Sequence, residues 1–546
     1  MSSPWTKIEI FILAALLIFN ALAALHGIAT LGIDTDEVDD ACGVIAPLNK
    51  TMTSSSCVSV SLFGRNWPIM TLPYHASLQA YLVLPALLAF HINVFALRIT
   101  PIAFGTLALL MTYLFARRIF GRSVALLSLS LLATNPMFIF FTKIGNFTSS
   151  YQAFFTMAAL YSFLTWYRGG RRIYYLVGCL FLGLGSCTRG WFLFVVAALL
   201  VNAIIFSRSI RMRLDRDNHK ALPVFLCLGL LSYCAGGFLL LYANFFNASS
   251  RFITFKSIAA YWRSTPIYGV DNFYYAGNLW QSLRTFWALL VQNPIQLSYL
   301  PPLPENTWHL VGFIFSFIYL TGFLFYQKTG GFSKKWICFM LVFLVTMLLS
   351  SSFTVSFFQS HHLFALLPMV SILTSVGLVA AGRFFTHRVA RFFVQGAVTV
   401  FFVVLIFTNL RGFIQRTILL DKTGGFAQWS YAVYPLVDWI KARKPRVIFA
   451  FNQGYDKIAF FLLGGKETVH CLYAATQEQY IEKAAAFCNA ENGILYRAWF
   501  TNPTPKEAAR FTMLKKTAAS IGKTIVEEKI FCRRDGVPMY IVYSVR

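Results

Sequence analysis

Long apolar segments that recur along the first three quarters of the chain constrain its fold more than any other feature. Eleven of them approach the roughly 20 residues that an α-helix needs to cross a bilayer. Only 12% of the 546 residues are charged, against roughly 25% in soluble domains. The sequence therefore predicts a polytopic α-helical membrane protein. The predicted spans are residues 8–28, 94–116, 121–141, 148–167, 172–188, 190–206, 221–243, 307–326, 336–354, 362–382 and 392–410.

Basic residues fall in alternate loops between these spans and do not form one patch. The clusters lie within residues 117–122, 168–172, 208–220, 328–335 and 383–391. An excess of Lys and Arg marks cytoplasmic loops, so we expect a cytoplasmic N-terminus and, with eleven spans, an external C-terminus. The net charge of +26 follows from this pattern and does not indicate a nucleic-acid partner. The first span is interpreted as an anchor, because it lacks a small-residue cleavage site. Residues 29–93 and 244–306 become long outer loops.

A cluster of carboxylates follows the first predicted span. The chain has 21 acidic residues, and five of them lie between positions 34 and 40: Asp34, Asp36, Glu37, Asp39 and Asp40. Ionised carboxylates near lipid are costly and contribute little to packing, so this cluster indicates a functional site. On local composition alone, a solvated loop that begins with acidic residues is the alternative.

The chain changes character after about Gly424. Short hydrophobic runs alternate with charged helical patterns, which predicts an extracytoplasmic α/β domain over residues 425–546 beside a membrane domain over 1–424. It lacks a phosphate-binding glycine loop in a strand–loop–helix context, which favours a cap or acceptor-contacting domain without catalytic residues. The predicted strands are 446–451, 468–473, 493–499, 524–531 and 539–544, and the predicted helices are 455–463, 477–489 and 505–520. In the first outer loop, a disulfide between Cys42 and Cys57 is plausible in an oxidising compartment.

Several motifs, taken together in their order and sidedness, resemble one family of membrane enzymes. The chain is similar to the GT-C superfamily of integral membrane glycosyltransferases, and most of all to the branch of protein O-mannosyltransferases and lipid A aminoarabinose transferases. The resemblance covers residues 1–410 in order, and the tail resembles the small extracytoplasmic domain of many members. It rests on Asp36-Glu37, on Leu72-Pro73-Tyr74-His75, on residues 95–105 and 113–121, on Leu182 to Gly190, and on His361 to Pro368.

This resemblance implies transfer of a hexose or pentose from a polyprenyl-phosphate donor to a hydroxyl acceptor on the outer face, with inversion at the anomeric carbon. The acceptor is a lipid, a glycan or a protein. The attacking hydroxyl needs a carboxylate within reach to accept its proton. Asp36 matches the first acid of the family's Asp-Glu pair and is the candidate base. Glu37 matches the second acid and is a candidate to orient the acceptor or the loop. Asp34 is an extra acid, either a helix N-terminal charge or part of the substrate site.

The departing lipid phosphate needs cations or hydrogen-bond donors around it. Arg189, His361, His362, Lys143 and Arg98 are the candidates. Arg189 lies in an apolar hairpin, where an uncompensated charge is costly, although it could snorkel to the interface. For the histidines a capping or interfacial role is equally open. Lys143 could be an interfacial lysine, and Arg98 could brace the first outer loop.

We expect no cofactor and no metal, because one phosphate can be neutralised by basic side chains without a bridging cation. The triplet Asp34-Thr35-Asp36 weakens this expectation, since two aspartates at this spacing could also bind a divalent ion. In the second outer turn, where many family members carry an acid, this chain has Asn146 and hydroxyl side chains instead, so substrate recognition there must differ.

Two rival functions belong to other classes. A transporter or flippase of lipid-linked sugars would require polar or broken helices at mid-membrane and related halves, and neither is visible in the sequence. A polysaccharide polymerase or ligase would use large outer loops rich in Arg and His. The aromatic loop 244–306 suits either a sugar-stacking surface or an interfacial belt. The closeness to the lipid A branch points to a bacterial inner membrane with a periplasmic active site.

Overall fold

A computed structural model of the protein describes thirteen ranges of the chain. The helices and strands below refer to these ranges alone. They are residues 4–51, 58–72, 75–148, 150–216, 222–246, 274–293, 304–325, 332–353, 359–384, 387–426, 429–474, 476–498 and 504–546.

Each of the eleven predicted spans corresponds to helical structure. Six helices are long and apolar enough to cross a membrane, and the number rises to eight if two bent pairs each form one span. The predicted multi-pass helical fold is confirmed, while the count of eleven crossings stays a prediction. The six are α1 (Lys7–Leu25), α4 (Val94–Phe120), α15 (Thr307–Phe325), α16 (Lys334–Ser350) with the 3-10 turn Ser351–Phe353, the 3-10 helix Ser360–Leu366 with α17 (Leu367–Phe384), and α18 (Arg388–Thr423).

The remaining predicted spans are bent or short. The helices α5 (Arg122–Ala133) and α6 (Pro136–Lys143) meet at 60° where Asn135 caps the second helix, and α12 (Leu222–Gly236) and α13 (Phe238–Phe246) meet at 83°. Between them lie α7 (Gly145–Thr148), α8 (Ser150–Gly169), α9 (Arg172–Ser186), α10 (Phe192–Ile205) and α11 (Ser207–Arg216). The aromatic segment between α13 and α14 (Tyr275–Leu290) lies largely outside the described residues, so its predicted role is not tested.

The first outer loop is more ordered than the sequence suggested. It contains the helix α2 (Thr35–Asn49), a small antiparallel sheet of β1 (Val58–Leu62), β2 (Arg65–Leu72) and β3 (His75–Ala76), and the helix α3 (Leu78–Phe90). The helix α2 begins at Asp34, whose side chain accepts a hydrogen bond from the backbone N–H of Asp36, as an N-cap does. Cys57 lies outside the described residues, so its predicted disulfide with Cys42 stays a prediction.

The C-terminal region forms the predicted α/β structure. Its five-stranded sheet has the order β5-β4-β6-β8-β7, with β4 parallel to both of its neighbours and β8 antiparallel to β6 and β7. All eight predicted elements are present, with shifts of a few residues at their ends. They are β4 (Val447–Ala450), α20 (Tyr455–Leu462), β5 (Val469–Cys471), α21 (Gln477–Asn489), β6 (Gly493–Ala498), α22 (Pro505–Ser520), β7 (Ile525–Cys532) and β8 (Pro538–Val545), preceded by α19 (Val433–Arg443).

This C-terminal region packs directly on the first outer loop. One hydrophobic core contains Val38 and Ile45 of α2 together with Phe460, Tyr496 and Val542 of the tail. The approach is close at Gly454, which has φ +85°, because a Cβ there would lie 2.4 Å from the Cγ2 of Thr35, and at Gly465, where a Cβ would lie 2.2 Å from the Cγ2 of Ile45. The tail therefore fixes the position of α2, the helix that carries the carboxylate cluster. The division into domains at residue 424 stays a prediction.

Candidate active site

The N-terminal end of α2 buries one carboxyl group without an ionic partner. Asp34 is 2% exposed, and one of its oxygens accepts the N–H of Asp36 at 2.9 Å. Its other oxygen is buried and, among the described residues, has no hydrogen-bond partner. Burial, and then the charge of Asp36, raise the pKa of the Asp34 carboxyl well above its usual range. Asp34 is therefore poised to hold a proton at a pH where an ordinary aspartate has lost it.

Glu37 forms a bidentate ion pair with Arg98 of α4. Both side chains are fully buried, and the two nitrogen–oxygen distances are 2.6 and 2.8 Å. Arg98 also donates to the backbone carbonyls of Ile28, Leu31 and Gly32. A guanidinium fork matches a carboxylate in this way. Arg98 thus braces the start of the outer loop, which is the alternative that the sequence had left open, and its predicted part in phosphate binding stays a prediction.

The next two acids of α2 also have defined partners. Asp39 pairs with Lys457 of the tail domain at 2.5 Å, and both side chains are largely buried. Asp40 accepts a hydrogen bond from the hydroxyl of Thr71 on β2. These contacts join α2 to the tail domain on one side and to the small sheet on the other.

Asp36 differs from Glu37, Asp39 and Asp40. It is half-buried, and no cation contacts its carboxylate within the part of the chain that the structure describes. It lies one helical turn before Asp40, on the same side of α2. The charge of Asp40 acts on Tyr151 of α8, so this side of α2 faces the membrane helices. A half-buried carboxylate on that side, with no contacting cation among the described residues, is suited to accept a proton.

Three of the predicted basic residues come together at neighbouring ends of the helices. Arg189 is buried in the turn between α9 and α10, and its charge acts on both His361 and His362. The two imidazole rings lie 4.1 Å apart between centroids. Trp191 packs on this group, with its ring 4.1 Å from that of His362 and 5.7 Å from the Arg189 guanidinium carbon. The spacing of 172 residues between Arg189 and His361 hides this cluster from any local motif.

The local fold fixes the hydrogen-bonding state of His362. Its Nδ1 accepts the backbone N–H of Gln359 at 3.0 Å, in a capping arrangement at the start of the 3-10 helix. In a neutral imidazole the other nitrogen then carries the proton. The capping role that the sequence left open is therefore present, and it leaves Nε2–H as a donor.

A buried polar chain connects the basic cluster with the region of α2. The guanidinium of Arg189 donates to the carbonyl of Asn146 at 3.1 Å, and the Asn146 side chain accepts the hydroxyl of Tyr151 at 2.8 Å. Gln152 accepts the indole N–H of Trp191 at 2.6 Å. Asn146 lies on α7, which packs against α2. Sequence analysis had singled out Asn146 as a departure from the family, but it missed Tyr151, Gln152 and Trp191, since single polar residues in apolar helices carry no positional signal.

Lys143 makes its hydrogen bond outside the cluster of Arg189, His361 and His362. It is 1% exposed, and its ammonium group donates to the carbonyl of His26 at 2.5 Å. The charged groups that act on Lys143 are Arg98 and Asp421. Lys143 therefore ties α6 to the end of α1, and its predicted contact with a phosphate stays a prediction.

No three His, Cys, Asp or Glu side chains form a metal-ligating group within the described ranges. Asp34 and Asp36 supply only two carboxylates, and Asp34 uses one oxygen as a helix cap. Whether the reaction needs a metal stays a prediction from the chemistry of the leaving group.

Comparison with known proteins supports the fold. Residues 75–235 match the family described as dolichyl-phosphate-mannose-protein mannosyltransferase. No curated protein matches the chain in sequence. Among solved structures, ArnT from Cupriavidus metallidurans bound to undecaprenyl phosphate has a TM-score of 0.63 at 12% identity, with 99% of this chain and 98% of that chain covered. ArnT in the apo state has a TM-score of 0.63 at 11% identity, covering 98% and 97%.

A more distant structure has the same arrangement. The archaeal oligosaccharyltransferase AglB from Archaeoglobus fulgidus, in complex with an inhibitory peptide and a dolichol-phosphate, has a TM-score of 0.53 at 12% identity, covering 94% of this chain and 72% of that chain. These similarities confirm the predicted GT-C fold, a multi-pass helical membrane domain followed by a small domain that contains a sheet.

Proposed function

We propose that this chain, which has the GT-C fold of integral membrane glycosyltransferases, transfers a hexose or pentose from a polyprenyl-phosphate donor to a hydroxyl group of a lipid, glycan or protein. The observation that carries the proposal is the convergence of Arg189, His361 and His362, which are far apart in sequence, beside the elements that pack on the acidic helix α2. ArnT, which shares the fold over nearly the whole chain, was solved with undecaprenyl phosphate.

The proposed reaction needs only a base and an anion site. The acceptor oxygen attacks the anomeric carbon, its proton passes to the carboxylate of Asp36, and the bond from that carbon to the phosphate oxygen breaks. The departing polyprenyl phosphate keeps the electron pair of that bond. Attack opposite the leaving group inverts the anomeric centre.

Arg189 and the two histidines are proposed to hold the departing phosphate. A guanidinium supplies charge and a fixed fork of donors, which suits phosphate oxygens. His362 contributes its Nε2–H, because its Nδ1 already accepts the N–H of Gln359. Preorganised donors in a site with little water stabilise developing charge without reorganisation.

Glu37 and Asp34 are proposed to support this site and not to react. The ion pair of Glu37 with Arg98 fixes the start of α2 and hence the direction of Asp36. Asp34 caps the same helix, and its proton limits the negative charge beside Asp36. We place the reaction on the outer face of a bacterial inner membrane, in line with the alternating basic loops.

Binding of undecaprenyl phosphate tests the anion site, because donors that carry different sugars release the same lipid phosphate. We expect Arg189→Ala in the full chain to weaken this binding by about tenfold or more, as for a lost charged hydrogen bond. Arg388→Ala is the matched control, since Arg388 is exposed at the N-terminal end of α18. Unchanged affinity in a folded Arg189→Ala protein contradicts the assignment.

An assay for the release of polyprenyl phosphate distinguishes the proposed transferase from a flippase. Purified protein in liposomes is incubated with the lipid fraction of its own membranes and with excess chelator. Acceptor-dependent release that persists under chelation supports the proposal and its metal-free form. Release restored only by magnesium or manganese contradicts the metal-free form, and lipid movement across the bilayer without release supports a flippase.

A further inference from the structure

The hairpin that joins β1 and β2 carries an exposed aromatic side chain at its tip. Phe63 is 98% exposed, and the neighbouring Leu62 is 49% exposed. Both turn residues, Phe63 and Gly64, have positive φ angles, +54° and +69°. A two-residue turn of this kind favours Asn or Gly at its first position, and a bulky residue there is unusual. A large apolar group is thus exposed at a place where a small polar residue would fit the backbone better.

The root of this hairpin packs on a helix that is sharply bent from the apolar helix before it. Val58 and Met70 of the sheet share a hydrophobic core with Leu240 and Ala243 of α13. The helix α13 is bent by 83° from the apolar helix α12. A bend of this size would carry α13 along the membrane surface if α12 ends there.

The outward side of α13 is aromatic. Phe245 is 70% exposed and Phe246 is 77% exposed, and the ring of Phe246 stacks on Tyr242 at 5.4 Å. The helix α12 continues this surface with exposed apolar side chains: Val224, Leu226, Leu228, Leu230 and Leu231. An apolar surface of this extent on a helix that crosses a bilayer faces lipid.

We propose that Leu62 and Phe63 insert into the outer interface of the bilayer, as a second anchor beside α13. The sheet from which this tip projects packs on α13, and α13 also carries the exposed aromatic side chains. Aromatic side chains favour the headgroup level of a membrane. Arg65, directly after the turn, adds a cation that suits lipid phosphates.

A second turn between antiparallel strands provides a contrast. The turn between β7 and β8 in the tail domain contains Arg533, Arg534 and Asp535, and Arg533 pairs with Asp535 at 2.7 Å. Its one apolar residue, Val537, is 43% exposed. The two turns therefore differ, and only the turn between β1 and β2 has an aromatic side chain at its tip.

The anchor has a consequence for the site. The strand β2 runs from the tip to Thr71, whose hydroxyl donates to Asp40 of α2. A tip fixed in the headgroup layer holds this strand, and with it the acidic helix, at a constant depth. The inference requires that α13 lie at the outer surface, and it does not depend on the proposed transfer reaction.

Photocrosslinking in a bilayer tests the inference. Phe63 is replaced by p-benzoylphenylalanine in the full chain, reconstituted in liposomes of phosphatidylethanolamine and phosphatidylglycerol, and the intact mass is measured after irradiation. Val537 replaced in the same way is the control. We expect lipid adducts at position 63, several-fold above those at position 537. Equal adducts at the two positions, or none at 63, overturn the inference.

A crosslink between two copies of the chain at position 63, without lipid adducts, also overturns it and assigns the tip to a dimer. Phe63→Trp and Phe63→Asn provide a second reading, by the quenching of tryptophan fluorescence with brominated lipids. The fluorescence that the added tryptophan contributes in Phe63→Trp should be quenched. Phe63→Asn should leave the quenching of the other tryptophans unchanged. An unquenched increment contradicts insertion.

Discussion

The two halves of the acidic cluster on α2 have opposite surroundings. In the second half, Glu37, Asp39 and Asp40 are buried and each has a specific partner: Arg98, Lys457 and Thr71. In the first half, Asp34 and Asp36 have no cationic contact among the described residues, and Asp36 is half-buried. Acids of one short segment thus divide into a structural set and a set that is available for chemistry.

The difference follows from the cost of burying charge. A buried carboxylate without a partner is unstable, so each fully buried acid of α2 is either paired or, as for Asp34, inclined to keep its proton. Only Asp36 combines partial exposure with the absence of a paired cation. Composition could not separate these roles, because all five acids look alike in sequence.

The largest expected effect is on turnover. Asp36→Asn keeps the size of the side chain but removes its ability to accept a proton, so the proposed transfer should fall by about 10²–10⁴. The unfolding midpoint should stay close to that of the native protein. Asp438→Asn, at an exposed acid of the tail, is the control. Near-normal turnover in the Asp36 variant would move the base to Asp34 or Glu37.

The second effect is on stability. Glu37→Gln leaves the fully buried Arg98 without its counter-charge, which should lower the free energy of unfolding by about 3–5 kcal/mol. Denaturant unfolding in detergent measures it. Turnover per folded molecule should fall far less than in Asp36→Asn, because the carboxylate of Asp36 remains although its orientation is less well fixed. A variant that unfolds normally but fails to turn over would instead make Glu37 a reacting group.

A smaller effect is expected where α2 meets the tail domain. Lys457→Met removes the cation from Asp39 and should destabilise the protein by about 2 kcal/mol, as for a lost hydrogen bond to a charged group. A cycle with Asp39→Asn and the double variant isolates the coupling between the two side chains. Additive effects of the two single changes would show that the ion pair does not join the tail to α2.

The smallest effect concerns pH. The pKa of Asp34 is raised in the folded state, so the folded protein binds more protons than the unfolded chain above the usual pKa of about 3.9. The native protein therefore loses stability as the pH rises toward the folded-state pKa. Asn also caps helices well. Asp34→Asn should thus gain stability relative to the native protein as the pH increases, measured by thermal unfolding from pH 5 to pH 8. A gain that shrinks with rising pH would contradict a protonated Asp34.

Much of the fold was predictable from patterns along the chain. The apolar segments and the strand and helix patterns of the tail gave elements that the structure confirms, down to the helix Gln477–Asn489. The sequence did not predict the helix α2 as an ordered element. Its carboxylates indicated a functional site, with a solvated loop as the alternative, and only Asp34 was considered as a helix N-terminal charge. The N-cap at Asp34 and the apolar residues from Val38 onward support a helix covered by the tail.

The sequence by itself determined the membrane class, the order of elements and the candidates for base and phosphate contact, because hydrophobicity and motif order are properties of the linear chain. The tertiary structure decided which candidates meet. It gathers Arg189, His361 and His362, commits Arg98 to Glu37, and ties Lys143 to His26. These outcomes depend on contacts between residues tens to hundreds of positions apart, and on a desolvation cost that only a packed interior imposes.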